Sequence, residues 1–267
     1  MNTLARLMNM QGRRALITGA AGKIGRVMTE SLAELGADLV LVDRPGADYG
    51  SLTAETEARF GVKIQTLVCD LEQQSEREQL IAHIAAKTSG LDVLINNAAF
   101  VGTAQLQGWA TGFEQQTVET WRRALEVNLT AAFDLVKGLA PLLRKGGHGS
   151  IINVGSIYAT LGPDYSLYDD TTMGNPAAYA ASKGGLIQLT RWLSTTLAPD
   201  IRVNALSPGG VFRNQPELFV TRYEAKTPLR RMAVEADFAG AVAYLASDLS
   251  AYVTGINLQV DGGWAAW

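Results

Sequence analysis

At 267 residues, with 47% hydrophobic and 18% charged side chains, the chain is long enough to enclose one large α/β core. A net charge of −3 without clustered Lys or Arg excludes the basic stripe that nucleic-acid binding requires, and points instead to small-molecule partners. No apolar run approaches the roughly 20 residues that cross a bilayer, and no Pro-, Gly- or Ser-rich stretch divides the sequence. A soluble protein with one domain over residues 1–267 and no membrane partner is therefore expected. Residues Met1 to Gln11 lack the apolar core of a secretory signal, and the single cysteine, Cys69, leaves no internal disulfide. Together these predict a cytoplasmic location.

The first strand-length apolar run, Arg14–Thr18, leads into Thr18-Gly19-Ala20-Ala21-Gly22-Lys23-Ile24-Gly25, and helical periodicity follows from Ile24 to Leu35. A glycine-rich turn between strand and helix places a helix N-terminus where it can receive a pyrophosphate. Gly19 permits the tight turn, Gly22 lets the backbone approach phosphate oxygens, and Gly25 allows the helix to pack closely on the strand. The second run, Asp38–Val42, ends at Asp43, whose carboxylate is suited to the two hydroxyls of an adenine ribose. A 2′-phosphate there would meet like-charge repulsion, which favours NAD over NADP, although Lys23 and Arg44 offset it in part.

Further runs follow at Lys63–Val68, Leu91–Ile95, Ser150–Val154, Arg202–Ala205 and Asn257–Val260, with helical segments between them. Short, β-branched, continuously apolar strands alternating with helices indicate a doubly wound, Rossmann-type parallel sheet with helices on both faces. Ligands in such sheets bind beyond the carboxyl ends of the strands, where strand order reverses. Asp70, Asn96, Ser156 and Pro208-Gly209 all fall there. Cys69, placed in the third strand, reads as a buried small hydrophobe. The helix Ala177–Leu197 carries Tyr179 and Lys183 four residues apart on one face, so an ammonium beside the phenol lowers the tyrosine pKa toward the range of a usable base.

Three regions break the rhythm, Phe100–Gln116, Ile157–Pro176 and Val211–Arg231, and are assigned to the substrate site. His83, in a predicted helix Glu76–Thr88, and His148 stand apart from other ligand-type residues, so no metal is expected.

With these residues in hand, the chain resembles the short-chain dehydrogenase/reductase family, single-domain branch, from Arg14 to Gly263. The likeness rests on the glycine turn, Asp70, Asn96-Asn97-Ala98-Ala99, Asn128 in a long helix, Ser156, Tyr179 with Lys183, and Pro208-Gly209. It implies that Tyr179 is the general acid/base and that Ser156 hydrogen-bonds the substrate oxygen. Lys183 would hold the nicotinamide ribose and lower the tyrosine pKa, while Asn128 positions a relay water. It also implies cofactor contacts at Gly19, Gly22, Lys23, Ile24, Gly25, Asp43, Asp70, Leu71, Asn96, Ala98, Tyr179, Lys183, Pro208, Gly209 and Val211, with Asp70 at the adenine and Asn96 near the adenosine ribose. The family commonly forms tetramers or dimers, and the terminal Trp264 and Trp267 are expected to bury against a partner subunit.

Three departures stand out. Lys23 occupies the place of the family's usual second glycine, Phe212-Arg213 follow Pro208-Gly209 where a threonine is common, and 23 positions separate Ser156 from Tyr179, a longer interval than usual. The extra residues include Tyr165, Tyr168, Asp169 and Asp170, suited to a polyhydroxylated or amine-bearing substrate. The expected activity is hydride transfer between NAD(P) and the secondary alcohol or ketone of a small polar substrate, a sugar or sugar-derived acid. Alternatives are an epimerase or dehydratase with tightly bound NAD, and a dinucleotide sensor without turnover.

Overall fold

A computed structural model describes residues 3–101, 106–171 and 173–267. Residues 102–105 of the first irregular region and residue 172 of the second lie outside the described residues. Among the described residues, seven strands form one parallel sheet: β1 (Arg14–Thr18), β2 (Asp38–Asp43), β3 (Ile64–Val68), β4 (Val93–Asn96), β5 (Gly149–Val154), β6 (Ile201–Pro208) and β7 (Asn257–Val260). Their order is β3-β2-β1-β4-β5-β6-β7, so the reversal falls between β1 and β4. The helices are α1 (Thr3–Met8), α2 (Lys23–Glu34), α3 (Leu52–Phe60), α4 (Gln74–Lys87), α5 (Val118–Leu125), α6 (Ala131–Gly146), α7 (Ala177–Thr196), α8 (Glu217–Lys226) and α9 (Ala239–Ala246).

The two-residue period of a strand divides the interior into two cores. Leu16, Leu94 and Ile151 face α4, α6 and α7, packing against Leu80, Ile84, Leu135, Leu139 and Leu193. Ala15, Ile17, Val93, Ile95 and Ile152 face the other way, onto Met28 and Leu32 of α2 and Val242 and Leu245 of α9. Each fully buried Leu, Ile, Val or Met contributes roughly 1.5–3 kcal/mol. The edge strand departs from the expected two-sided burial. β3 pairs only with β2, and Gln65, Thr66 and Val68 face solvent, Val68 being 71% exposed. Cys69 lies one residue past this strand. It is buried, and burial pushes its thiol up to about 11, as befits an inert side chain.

β6 runs to Pro208, three residues beyond the apolar run. Asn204 and Ser207 are buried there because Asn204 Nδ2 donates to the Val253 carbonyl and Ser207 Oγ to Asn257 Oδ1. The region after β6, read as loop, contains α8. Trp264 is partly buried within its own chain, its ring stacked on Tyr223 with centroids 4.3 Å apart. Trp267 is 78% exposed, with Nε1 donating to the Lys226 carbonyl.

The long helix expected around Asn128 is interrupted. A π-helical turn, Glu126–Thr130, joins α5 to α6, a feature that aims a side chain differently from regular helix. Arg77 of α4 fastens it. This guanidinium, 1% exposed as a residue, pairs with Glu126 at 2.7 Å and Asp134 at 2.9 Å, and donates to the Leu71 carbonyl at 2.6 Å. Arg77→Ala is expected to lower the unfolding free energy by about 2–3 kcal/mol, below the full cost of breaking a buried pair because both carboxylates keep contact with water. Urea titration checks this, and an unchanged midpoint would remove Arg77 from that role.

Candidate active site

Close approach of three backbones builds the cofactor crevice at the β1/β4 reversal. Gly19 has φ +63°, and a Cβ there would lie 2.8 Å from the Ala98 Cα; a Cβ on Gly25 would lie 2.3 Å from the Gly19 carbonyl oxygen. Only glycine fits both positions. Thr18 Oγ1 accepts from the amides of Asn97 and Ala98, each at 3.1 Å. Asn97 Nδ2 donates to the carbonyls of Thr18 and Gly19, each at 2.9 Å. Thr18 and Asn97 were absent from the expected site residues, although both lie inside the motifs that were recognised.

α2 begins at Lys23 with Gly22 as its N-cap, no side-chain cap and no acidic residue in its first turn. Its first amides are thus not claimed by a side-chain cap, the arrangement that receives a pyrophosphate. Lys23 is exposed at this end, where the helix dipole disfavours a cation unless an anion joins it. Asp43 is partly buried and accepts from the amides of Ala21 at 2.9 Å and Arg44 at 2.8 Å, so its carboxylate is fixed beside the turn. Asp70, also partly buried, accepts from the Glu72 amide. Leu71 buries its side chain, 7% exposed, in the first core, and its carbonyl accepts from Arg77. Asn96 is likewise turned into the sheet, its Nδ2 donating to Asn153 Oδ1 at 2.8 Å. Its Oδ1 is buried without a donor among the described residues, an acceptor that a ligand hydroxyl would satisfy. The open α2 amides, the glycine cradle, Asp43 and this acceptor fit a nicotinamide dinucleotide.

Beyond β5, Ser156 is buried at the start of a 3-10 turn, Ile157–Ala159, with Oγ accepting from the Tyr158 amide at 3.2 Å. Tyr179, in the first turn of α7, lies beside Ser156 and packs against Trp109, Ala124 and Ala178. One turn further, Lys183 is 2% exposed, and its Nζ donates to the Val154 carbonyl at 2.7 Å. Burial pushes the Tyr179 phenol above its ordinary value, against the pull of the Ser156 hydroxyl. The expected lowering by Lys183 does not dominate, because the ammonium lies 5.9 Å from the ring centroid and is itself pushed down to about 8 by burial.

Asn128, in the π turn, is 2% exposed; its Oδ1 accepts from the Phe100 amide at 2.6 Å, and its Nδ2 donates to Ser182 Oγ at 2.9 Å. It clamps the segment after β4 to α7. At the far wall, the Gly209 amide donates to the Val260 carbonyl, Val211 bridges to Ala233, and the Gly210 amide donates to the Tyr223 hydroxyl.

The long interval before Tyr179 is no solvated loop. Leu167 is fully buried with Phe219, Tyr223 and Met232. Tyr165 is 60% exposed, and Asp169 and Asp170 turn outward, where Arg222 bonds the Asp169 carbonyl and pairs with Asp170. Only Tyr168, of the four residues singled out there, turns inward, its hydroxyl 2.7 Å from that of Tyr158. A larger groove of about 620 Å³ lies at the opposite, amino end of the sheet. Arg13 with Asp248, Asp92 with the Arg14 amide and Asp38 with the Lys63 amide account for its acidic groups as structural fastenings.

A family model described as enoyl-(acyl carrier protein) reductase matches residues 19–265. The chain is 32% identical over 263 residues to the 3-oxoacyl-(acyl-carrier-protein) reductase of Thermotoga maritima, covering 96% of this chain and 99% of that protein. It is also 32% identical over 271 residues to a galactitol 2-dehydrogenase (L-tagatose-forming) of Cereibacter sphaeroides, covering 98% of each. The crystal structure of a gluconate 5-dehydrogenase from Burkholderia cenocepacia, in complex with NADP and tartrate, superposes with a TM-score of 0.86 at 28% identity, covering 99% of this chain and 100% of that one. The crevice and the Ser156, Tyr179 and Lys183 arrangement thus stand on a chain that belongs to the short-chain dehydrogenase/reductase family of oxidoreductases.

Proposed function

We propose that the protein is an NAD-dependent dehydrogenase interconverting the secondary alcohol and ketone of a small polar substrate, a sugar or sugar-derived acid. The observation that carries this reading is the placing of Tyr179 beside Ser156, one helical turn from buried Lys183 and next to a crevice built for a dinucleotide. The chemistry that a bound nicotinamide would supply is hydride exchange with the carbinol or ketone carbon, which leaves the protein to place the substrate and move the proton. Tyr179 Oη passes the accompanying proton, taking it up as the alcohol is oxidised and giving it to the ketone oxygen in the reverse direction. Ser156 Oγ holds that oxygen and steadies its developing charge. Lys183 spends one donor on Val154 and keeps two, suited to ribose hydroxyls. Asn128 is a positioning residue, acting through Phe100 and Ser182. The galactitol and gluconate dehydrogenases among its relatives support a sugar-like substrate.

Absorbance of reduced cofactor, followed with NAD or NADP and a panel of polyols, sugars, hydroxy acids, hydrophobic alcohols and acyl thioesters, tests the reading; activity confined to acyl thioesters would replace it. Tyr179→Phe is expected to lower kcat by at least about hundredfold, with dinucleotide affinity nearly unchanged by fluorescence titration. Turnover retained in that variant would remove Tyr179 from the chemistry. Asp43→Ala is expected to reduce the NAD/NADP ratio of kcat/KM by about tenfold, and an unaltered ratio would release Asp43 from cofactor discrimination.

Lys183 also sets a pH dependence. Its folded pKa of about 8 lies below the ordinary 10.5, so between these values the unfolded chain binds more protons and stability rises with pH. Relative to Lys183→Met, the wild type should gain about 2 kcal/mol between pH 8 and pH 10. Urea unfolding at the two pH values decides it: a constant difference between the proteins would mean that the ammonium is not desolvated.

A further inference from the structure

The polar groups between Ser156 and Tyr179 fall into two sets. Those facing α8 are charged and already paired. Asp164 meets Lys226, and Asp170 meets Arg222. Two more cations of the region after β6, Arg213 and Arg231, are held by Glu235 and Asp237. Arg230 donates to the Ala225 carbonyl. Four cations on this side, Arg213, Arg222, Lys226 and Arg231, are thus matched with carboxylates.

The second set is uncharged and adjoins the catalytic serine. Tyr158 gives its amide to Ser156 Oγ and shares a hydroxyl hydrogen bond with Tyr168, while Asn175, 7% exposed and just before α7, lies beside Tyr158. Tyr168 is seated by the Phe219 ring, with centroids 5.5 Å apart. Two phenols that share one hydrogen bond retain one O–H donor and free acceptor lone pairs.

We propose that Tyr158, Tyr168 and Asn175 form a hydroxyl-recognising wall that selects an uncharged vicinal polyol, or the matching ketose, over a sugar acid, an amine or an acyl chain. This rests on the dehydrogenase reading given above and narrows its substrate. The wall itself carries neither a cation nor a carboxylate, so a substrate carboxylate or ammonium set against it would be desolvated without compensation. An acyl chain would leave the phenols and the amide without partners, a loss that discriminates strongly at hydrogen-bonding sites.

The test measures kcat/KM of the full chain with NAD for four- to six-carbon polyols, the matching aldonates and cyclohexanol, in wild type and in Tyr168→Phe and Tyr158→Phe, with melting temperatures alongside. Polyols should exceed aldonates, and each substitution should lower the polyol/cyclohexanol ratio by about tenfold through KM. Two variants keep the test informative if one fails to fold. Aldonates preferred over polyols, or equal proportional losses on polyol and cyclohexanol, would overturn the wall while leaving the dehydrogenase intact. No oxidation of any secondary alcohol, with dinucleotide binding retained, would overturn the dehydrogenase reading and the wall with it.

Discussion

The hydrogen bond from Lys183 Nζ to the Val154 carbonyl ties α7 to the carboxyl end of β5, and the rest of the site takes its spacing from that tie. Ser156 lies two residues beyond the acceptor and Tyr179 one turn before the donor, so a single buried contact fixes the distance between base and serine. It carries a cost. An ammonium held out of water favours its neutral form, which is why the lysine is pushed down to about 8. A charge retained at such expense next to a phenol marks chemistry more than stability, since buried ionic groups add little net stabilisation.

A second tie sets the remaining side of the site. Arg77 binds α4 to the π turn through Glu126, and Asn128 in that turn reaches both Phe100 and Ser182. The segment leaving β4 and the helix carrying Tyr179 are thereby referred to one carboxamide. Thr18 and Asn97 do the same for the glycine turn and β4. The glycine turn, Asn128 and Tyr179 are held by short, directional bonds between different elements, so an error in one would misplace groups on another.

Most of this order was legible in the chain. Strand positions and the crevice followed from apolar period and from the glycines, because both are local consequences of backbone geometry. What escaped detection needed tertiary knowledge. The apolar run of β6 stops at Ala205, short of Pro208, because Ser207 reads as polar, while the fold satisfies it with Asn257. α8 was hidden because its apolar residues, Phe219 and Tyr223, face a segment some fifty positions earlier in the chain. The Tyr179 pKa was given the wrong direction because four-residue spacing reports proximity to Lys183 and says nothing of burial, which dominates both groups. Tyr158 and Asn175 carried no motif at all.

The longer interval between Ser156 and Tyr179 is held against α8 by two kinds of contact. Its ion pairs to α8 are exposed, with Asp170 85% exposed in its side chain, and pairs of that kind contribute about 0–1 kcal/mol. Leu167, Phe219 and Tyr223 are buried together, and each such side chain contributes roughly 1.5–3 kcal/mol. Apolar packing therefore holds α8 in place, reinforced by the Tyr223–Trp264 stack. The ion pairs do something else: they remove net charge from a surface that would otherwise attract carboxylates to Arg222 and Lys226. Rigidity and neutrality thus have separate origins. A substitution in the Leu167 cluster should loosen every substrate alike, whereas one that frees Arg222 would alter which charge the site tolerates.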